Sequence, residues 1–347
     1  MCSQITNLLY GMTDFSALFQ SLAEDTNSHG AIPVRRAPKM PHVWIGKDDT
    51  ALPVLIVETT LDGPIPSVVV LRNLRFDPRL ACLIDEKPYG ERRSVQASVI
   101  RITTFDPELH AYFFRTVSAL FTELGPRPRV SELARAIDRL AEMFRALALP
   151  PTTSLQGLWA ELLMIRQAPS TEYAVRAWHA TRRSLFDFDG GGHAVEIKSS
   201  TSGIRKHHFR LAQLQPRPGH DVYVVSVLLK PSQSGSSIPD LWKNIDAKLT
   251  ASPQLSSRLA EVIAQSAGVD WQHAKDVRFD DVSALRSILI FKAESIPRVG
   301  DSAGPEVTEI EFVSDLSACV PLGSATLEDD DGLVSALFRD RVNPRHA

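Results

Sequence analysis

Apolar and polar positions alternate, or run together briefly, along most of the first hundred residues. The segments VWIG, PVLIVETT, SVVVLRN, ACLID and SVQASVIRIT between Val43 and Thr103 read as short strands, separated by Gly, Pro and Asp turns. The period then changes. Phe105–Glu123 and Val130–Leu147 repeat apolar residues at three- and four-residue spacings, as helices do, with Ser131 as the expected N-cap of the second; an amphipathic helix is also expected at Asp14–Ala23. Ala148-Leu149-Pro150-Pro151-Thr152-Thr153 breaks the pattern and divides the chain. Residues 1–149 are expected as a strand-rich α+β domain and 150–347 as a second module, with its core over 155–230 and an α/β extension after it.

In the second module, Leu155–Ile165 (LQGLWAELLMI) is apolar nearly all round as a helix, which predicts burial, and Glu161 is its only charge. A buried carboxylate is expensive unless it is paired or metal-bound; the alternative is that Glu161 lies on the helix margin, reaching water or Arg166. Two strands follow, Arg183–Phe188 and Ala194–Ser199, joined through Gly190-Gly191-Gly192. A hairpin centred between Gly191 and Gly192 pairs residues whose numbers sum to 383, setting Asp187 opposite Glu196. Side-chain alternation then puts Asp187, Glu196 and Lys198 on one face, and Phe186, Phe188, Val195 and Ile197 towards a core. Two carboxylates at that separation repel unless a cation lies between them. A wet strand face with ordinary charges is the plainer reading of the same residues.

Downstream, Asp221–Leu229 is apolar enough for a central strand. Ser237–Leu249 and Pro253–Ser266 read as helices of the carboxy-terminal part, Arg286–Lys292 and Glu306–Val313 as strands, and Gly332–Phe338 as a short helix after the acidic run Glu328–Asp331. That run complements a helix dipole and lacks the ligand spacing of a calcium loop.

Composition alters this picture little. The chain has 347 residues, 44% hydrophobic and 23% charged, and a formal net charge of -3. The charge is uneven: residues 151–235 carry 10 basic against 6 acidic side chains, while residues 236–347 carry 11 against 18. The local excess suits a polyanionic substrate. Arg205, Lys206 and Arg210, with His207 and His208 between them, are the cluster expected to touch DNA phosphates, against the alternative of a solvated face. Cys2, Cys82 and Cys319 show no metal-ligand spacing and fit a reducing compartment. No secretory leader, membrane-length apolar run or phosphate-binding glycine loop is evident, so the expectation is a cytoplasmic protein without its own ATPase motif.

Glu on a helix, Asp on a strand and Glu-x-Lys on the next resembles the PD-(D/E)xK nuclease superfamily. More closely, the chain resembles bacterial "PD-(D/E)xK motif" proteins found near restriction and phage-defence genes. The likeness rests on GLWAEL at Gly157–Leu162, Trp178, FDF at Phe186–Phe188, VEIKSS at Val195–Ser200 and QL at Gln213–Leu214. Weaker echoes follow in SIPDLW at Ser237–Trp242 and FKAESIPRV at Phe291–Val299. The residue before Asp187 is Phe186 where the superfamily name has proline, a position that does no chemistry.

The resemblance implies a restriction-endonuclease-like mixed sheet flanked by helices, and a metal-dependent endonuclease acting on DNA. It implies that Asp187, Glu196, the carbonyl of Ile197 and Glu161 hold Mg²⁺, with Mn²⁺ as a substitute, that Lys198 serves the reacting water or phosphate, and that Gln213 positions substrate or solvent. An ATPase, a methyltransferase or other defence subunits are the partners it suggests, and self-association is left open. The competing expectations are a catalytically silent DNA-binding or scaffolding subunit, and an enzyme of the same fold acting on RNA or a nucleotide.

Overall fold

The computed structural model describes residues 14–22, 32, 34–38, 40–60, 65–84, 93–124, 128–181, 184–215, 221–300, 307, 309–323 and 333–342. The acidic run 328–331 and residues 182–183 lie outside them. The chain forms two compact units, Met1–Pro150 with Thr250–Gln272, and Pro151–Leu249 with His273–Ala347.

The first unit contains α1 (Phe15–Gln20), β1 (Val34–Ala37), β2 (Met40–Lys47), β3 (Pro53–Glu58), β4 (Val69–Val70), β5 (Leu74–Ile84), β6 (Arg93–Ile102), α2 (Pro107–Leu124), α3 (Val130–Ala146) and α8 (Pro253–Ala267). Its sheet is antiparallel, in the order β1-β2-β3-β6-β5-β4. Several details differ from the sequence pattern. The stretch expected as strand SVVVLRN keeps only Val69–Val70, and of ACLID the residues Ala81 to Ile84 end the long β5, Asp85 lying outside the described residues. Pro78 looks like a strand break in sequence, but it sits in a bulge between Asp77 and Leu80, where a proline removes no ladder hydrogen bond. α3 starts before Ser131: the Glu132 carboxylate accepts the Arg129 backbone N–H at 2.8 Å, which places the cap at Arg129. Finally, α8 was expected in the second module and belongs here, where the buried Tyr112 hydroxyl donates to the Ala260 carbonyl at 2.9 Å.

The second unit contains α4 (Leu155–Gln167), α5 (Thr171–Ala177), β7 (Phe188–Gly190), β8 (His193–Ser200), β9 (Lys206–Arg210), α6 (Leu211–Leu214), β10 (Asp221–Leu228), β11 (Pro231–Ser237), α7 (Ile238–Lys248), β12 (Arg278–Phe279), α9 (Asp281–Ser287), β13 (Leu289–Lys292), β14 (Glu311–Asp315) and α10 (Leu333–Val342). Its central sheet runs β13-β10-β8-β7. β10 is parallel to β8, and β13 and β7 are antiparallel to their neighbours. This mixed sheet flanked by helices is the restriction-endonuclease-like arrangement, and the chain as a whole is α+β. Parallel pairing requires the chain to cross over between β8 and β10, and β9 and α6 lie on that crossover. Arg286 lies in α9 and not in a strand, and the last expected strand is β14, which pairs with β9.

On one face of the sheet Ala194, Val222, Val224 and Phe291 pack with Phe186, Phe209, Leu214 and Ile296. Phe186 therefore shares the face of Ala194, not that of Val195 and Ile197. The reason is that the regular ladder begins only at Phe188, so strand alternation does not extend back to Phe186. α4 is buried from Leu158 to Ile165, Glu161 included, as its all-round apolar pattern requires.

Candidate metal centre

The hairpin register comes from its turn. Gly191 and Gly192 have φ of 63° and 81°, a left-handed backbone that glycine adopts without a Cβ penalty. Phe188 consequently faces Val195, Asp189 faces Ala194 and Gly190 faces His193. One residue before the ladder, the Asp187 carbonyl accepts the His179 N–H at 2.7 Å, and its Oδ2 accepts the Ile197 N–H at 2.6 Å. The Asp187 carboxylate is thus tied to the backbone between Glu196 and Lys198. The Ile197 N–H is thereby committed to Asp187.

On β8, Glu196 is 4% exposed. Its Oε1 accepts from the Gln213 amide at 2.6 Å and pairs with Lys198 Nζ at 2.7 Å. The Gln213 carbonyl oxygen accepts the Arg210 backbone N–H at 3.0 Å, which locks the amide's orientation. Lys198 also lies 5.1 Å from the centre of the Phe209 ring. Glu196 Oε2 is buried with no hydrogen-bond partner among the described residues. An orphaned carboxylate oxygen in the interior is costly, and a cation is the ligand that would satisfy it.

Glu161 enters from α4. Trp178 Nε1 and His179 Nε2 both approach its Oε2, at 2.7 and 3.0 Å. Trp178 bridges to Phe188, so the end of α5 is stitched to the start of β7 and both ring nitrogens are carried to the carboxylate. His179 reaches this position with φ of 40°, a left-handed conformation that is uncommon outside glycine. One ligand atom each from Glu161, His179 and Asp187 lies within 4.8 Å of the others, a spacing that fits a common ion.

The three carboxylates act on one another. Asp187 keeps a partly accessible edge, yet protein surrounds it on most sides. That burial, with repulsion from Glu196 and then Glu161, raises its pKa well above the usual carboxylate range against the pull of the Ile197 N–H and Lys198. Burial also raises Glu196, opposed by the adjacent Lys198. Hard oxygen donors, an orphaned buried oxygen and mutual repulsion are together what a divalent cation relieves, so the residues fit such an ion.

The predicted phosphate cluster separates into two parts. The Arg205 guanidinium is partly buried and donates to the Ser226 carbonyl and hydroxyl, each at 2.8 Å, and to the Ser287 carbonyl. It tethers β10 and the end of α9, so its guanidinium is engaged within the protein. Lys206 and Arg210 are exposed on β9, near Asp315 and Glu311 of β14 at 3.9 and 3.3 Å. His207 points inward to the Ser226 hydroxyl at 2.7 Å.

Residues 15–317 match the family model described as "Putative PD-(D/E)XK family member" (DUF4420). The chain belongs to the DUF4420 family. No curated protein and no solved structure matches it. The match runs through both compact units, so the DUF4420 region is larger than the nuclease-like sheet alone. Among the described residues of this DUF4420 chain, no helix is long and apolar enough to cross a membrane.

Sequence reasoning missed His179 as a member of the site and took Trp178 only as a point of family likeness. Their signal is weak in sequence because a loop separates them from Asp187 and because they act on a helix residue 17 and 18 positions away. The adjacency of an indole and an imidazole just before the Asp187 segment was the available clue.

Proposed function

We propose that this chain is a divalent-metal-dependent endonuclease that hydrolyses DNA phosphodiester bonds, serving a restriction or phage-defence system. The observation that carries the reading is the buried Glu196 carboxylate, held by Lys198 and Gln213 with one oxygen left orphaned, beside a strongly repelled Asp187. Asp187, Glu196, the Ile197 carbonyl and Glu161 would hold Mg²⁺ or Mn²⁺. Such an ion lowers the pKa of water and offsets charge building on the phosphate oxygens.

The chain's own groups do the rest. Lys198 Nζ, kept beside Glu196, stabilises negative charge at the scissile phosphate or orients the attacking water. Gln213 holds the Glu196 carboxylate in place. Trp178 and His179 hold Glu161. Lys206 and Arg210 offer positive charge to the DNA backbone. Cytoplasmic DNA is the expected substrate, and a separate methyltransferase or ATPase subunit the expected partner.

A second reading, DNA binding without cleavage, draws on the same ion pair: Lys198 neutralises Glu196 without any metal. Incubating the purified chain with plasmid, phage and methylated DNA separates the two. Nicked or linear products in Mg²⁺ or Mn²⁺, and none in EDTA, support the nuclease; intact DNA of all three kinds, bound but uncut, supports the second reading.

A further inference from the structure

We infer that His179 is a nitrogen ligand of the metal centre, and that the centre therefore takes a first-row transition cation such as Mn²⁺ in preference to Mg²⁺. The inference rests on the metal-centre reading above and goes beyond it in naming the ligand that sets ion choice.

Three observations carry it. First, the ring is in place. Its Nε2 lies 3.0 Å from Glu161 Oε2, and one atom each from His179, Glu161 and Asp187 fall within 4.8 Å of one another. Neighbouring ligands on a six-coordinate ion with bonds of about 2.1 Å stand roughly 3 Å apart, and opposite ones roughly 4 Å. Second, the backbone is bent to deliver it. A left-handed φ of 40° at a non-glycine residue carries a conformational cost, and here it coincides with the clamp between the His179 N–H and the Asp187 carbonyl. That clamp keeps the two side chains together. Third, Trp178 Nε1 already donates to the same Glu161 oxygen at 2.7 Å, so that oxygen does not depend on His179 for a partner.

The chemistry follows from the donor. Mg²⁺ prefers an all-oxygen shell and retains water, whereas the divalent transition ions of the first row, Mn²⁺ among them, accept an imidazole nitrogen more readily than Mg²⁺ does. Loading needs only the tautomer with its proton on Nδ1, which frees the Nε2 lone pair.

The test uses the 347-residue chain with MnCl₂ and MgCl₂, each alone and in competition. Bound Mn²⁺ is counted by equilibrium dialysis, and pulsed electron paramagnetic resonance reads the modulation that a directly bound ¹⁴N imposes on the Mn²⁺ signal. Wild type should bind Mn²⁺ with nitrogen modulation. His179→Gln should lose the modulation and bind Mn²⁺ at least about tenfold less tightly relative to Mg²⁺. His193→Gln, altered at the far end of β8, should keep both. Bound Mn²⁺ without nitrogen modulation in wild type overturns the inference and leaves the nuclease reading standing, with His179 only orienting Glu161. Modulation that survives in His179→Gln overturns it as well. Absence of any Mn²⁺ or Mg²⁺ binding overturns both.

Discussion

Asp187 carries its charge where burial, Glu196 and Glu161 all oppose it, and that has a measurable consequence in the metal-free protein. A carboxyl whose folded pKa lies above its unfolded one contributes stability below the unfolded value, and loses it as pH rises through the folded value. Asp187→Asn keeps an acceptor for the Ile197 N–H but removes the charge. In EDTA the variant should melt several degrees above wild type near pH 8, and the gap should close towards pH 4. With saturating metal the order should reverse, since wild type alone gains binding energy. A gap independent of pH would show that Asp187 is not strained in this way. His207 works in the opposite sense. Burial and the nearby Lys198 depress its pKa to about 4, so the stability it confers is full above about 6.5 and is lost as pH falls towards 4. His207→Gln should shed much of that acid sensitivity, worth roughly 3 kcal/mol for a displacement of this size; unchanged acid unfolding would place the loss elsewhere. Of these residues, Glu161 was legible because a lone charge on an all-apolar helix stands out. His179 was not, because its partners are neighbours only in space.

At the scale of elements, the hairpin β7–β8 could be read from its glycines alone, since a two-residue turn fixes a register and the register fixes which side chains meet. The segment just before it could not. Its apolar run resembles a strand, but the chain there bends to tie Asp187 to His179 and Ile197, and Phe186 turns to the other face. Pro78 misled in the opposite direction, being housed in a bulge of a continuous strand. The seating of α4 depends on a feature silent in sequence. Trp159 Nε1 donates to the Ser236 carbonyl at 2.8 Å and its ring meets Phe279 edge-on. The neighbouring Gly235 runs so close to β12 that an added Cβ would stand 1.9 Å from the Phe279 carbonyl oxygen. Gly235→Ala should force the two strands apart, cost on the order of 2 kcal/mol or more in urea unfolding, and weaken metal binding through the α4 residue Glu161. A variant as stable as wild type would mean that β11 and β12 give way without strain.

For the whole molecule, the boundary near Pro150 was visible as a Pro-rich break, but the return of α8 to the first unit was not. Amphipathic periodicity says that a helix has a face to bury without saying which unit supplies the cover. The basic excess of residues 151–235 likewise did not show which cations are committed. Arg205 is engaged by Ser226 and Ser287, while Lys206 and Arg210 stay at the surface. Lys206→Ala with Arg210→Ala should weaken DNA binding without regard to sequence. The dependence of log affinity on log salt should flatten too, by about 0.9 for each phosphate no longer neutralised. Arg205→Ala should instead lower stability. An unchanged slope in the double variant would make β9 an ordinary solvated strand. The most direct measurement is cleavage of plasmid DNA by wild type and by Asp187→Asn and Lys198→Ala, purified identically and first shown to bind DNA and to fold alike. The account predicts metal-dependent cutting by wild type and its loss, by at least about a hundredfold, in both variants. Equal cutting by all three would contradict it, because the activity would then arise somewhere other than the centre built on β8.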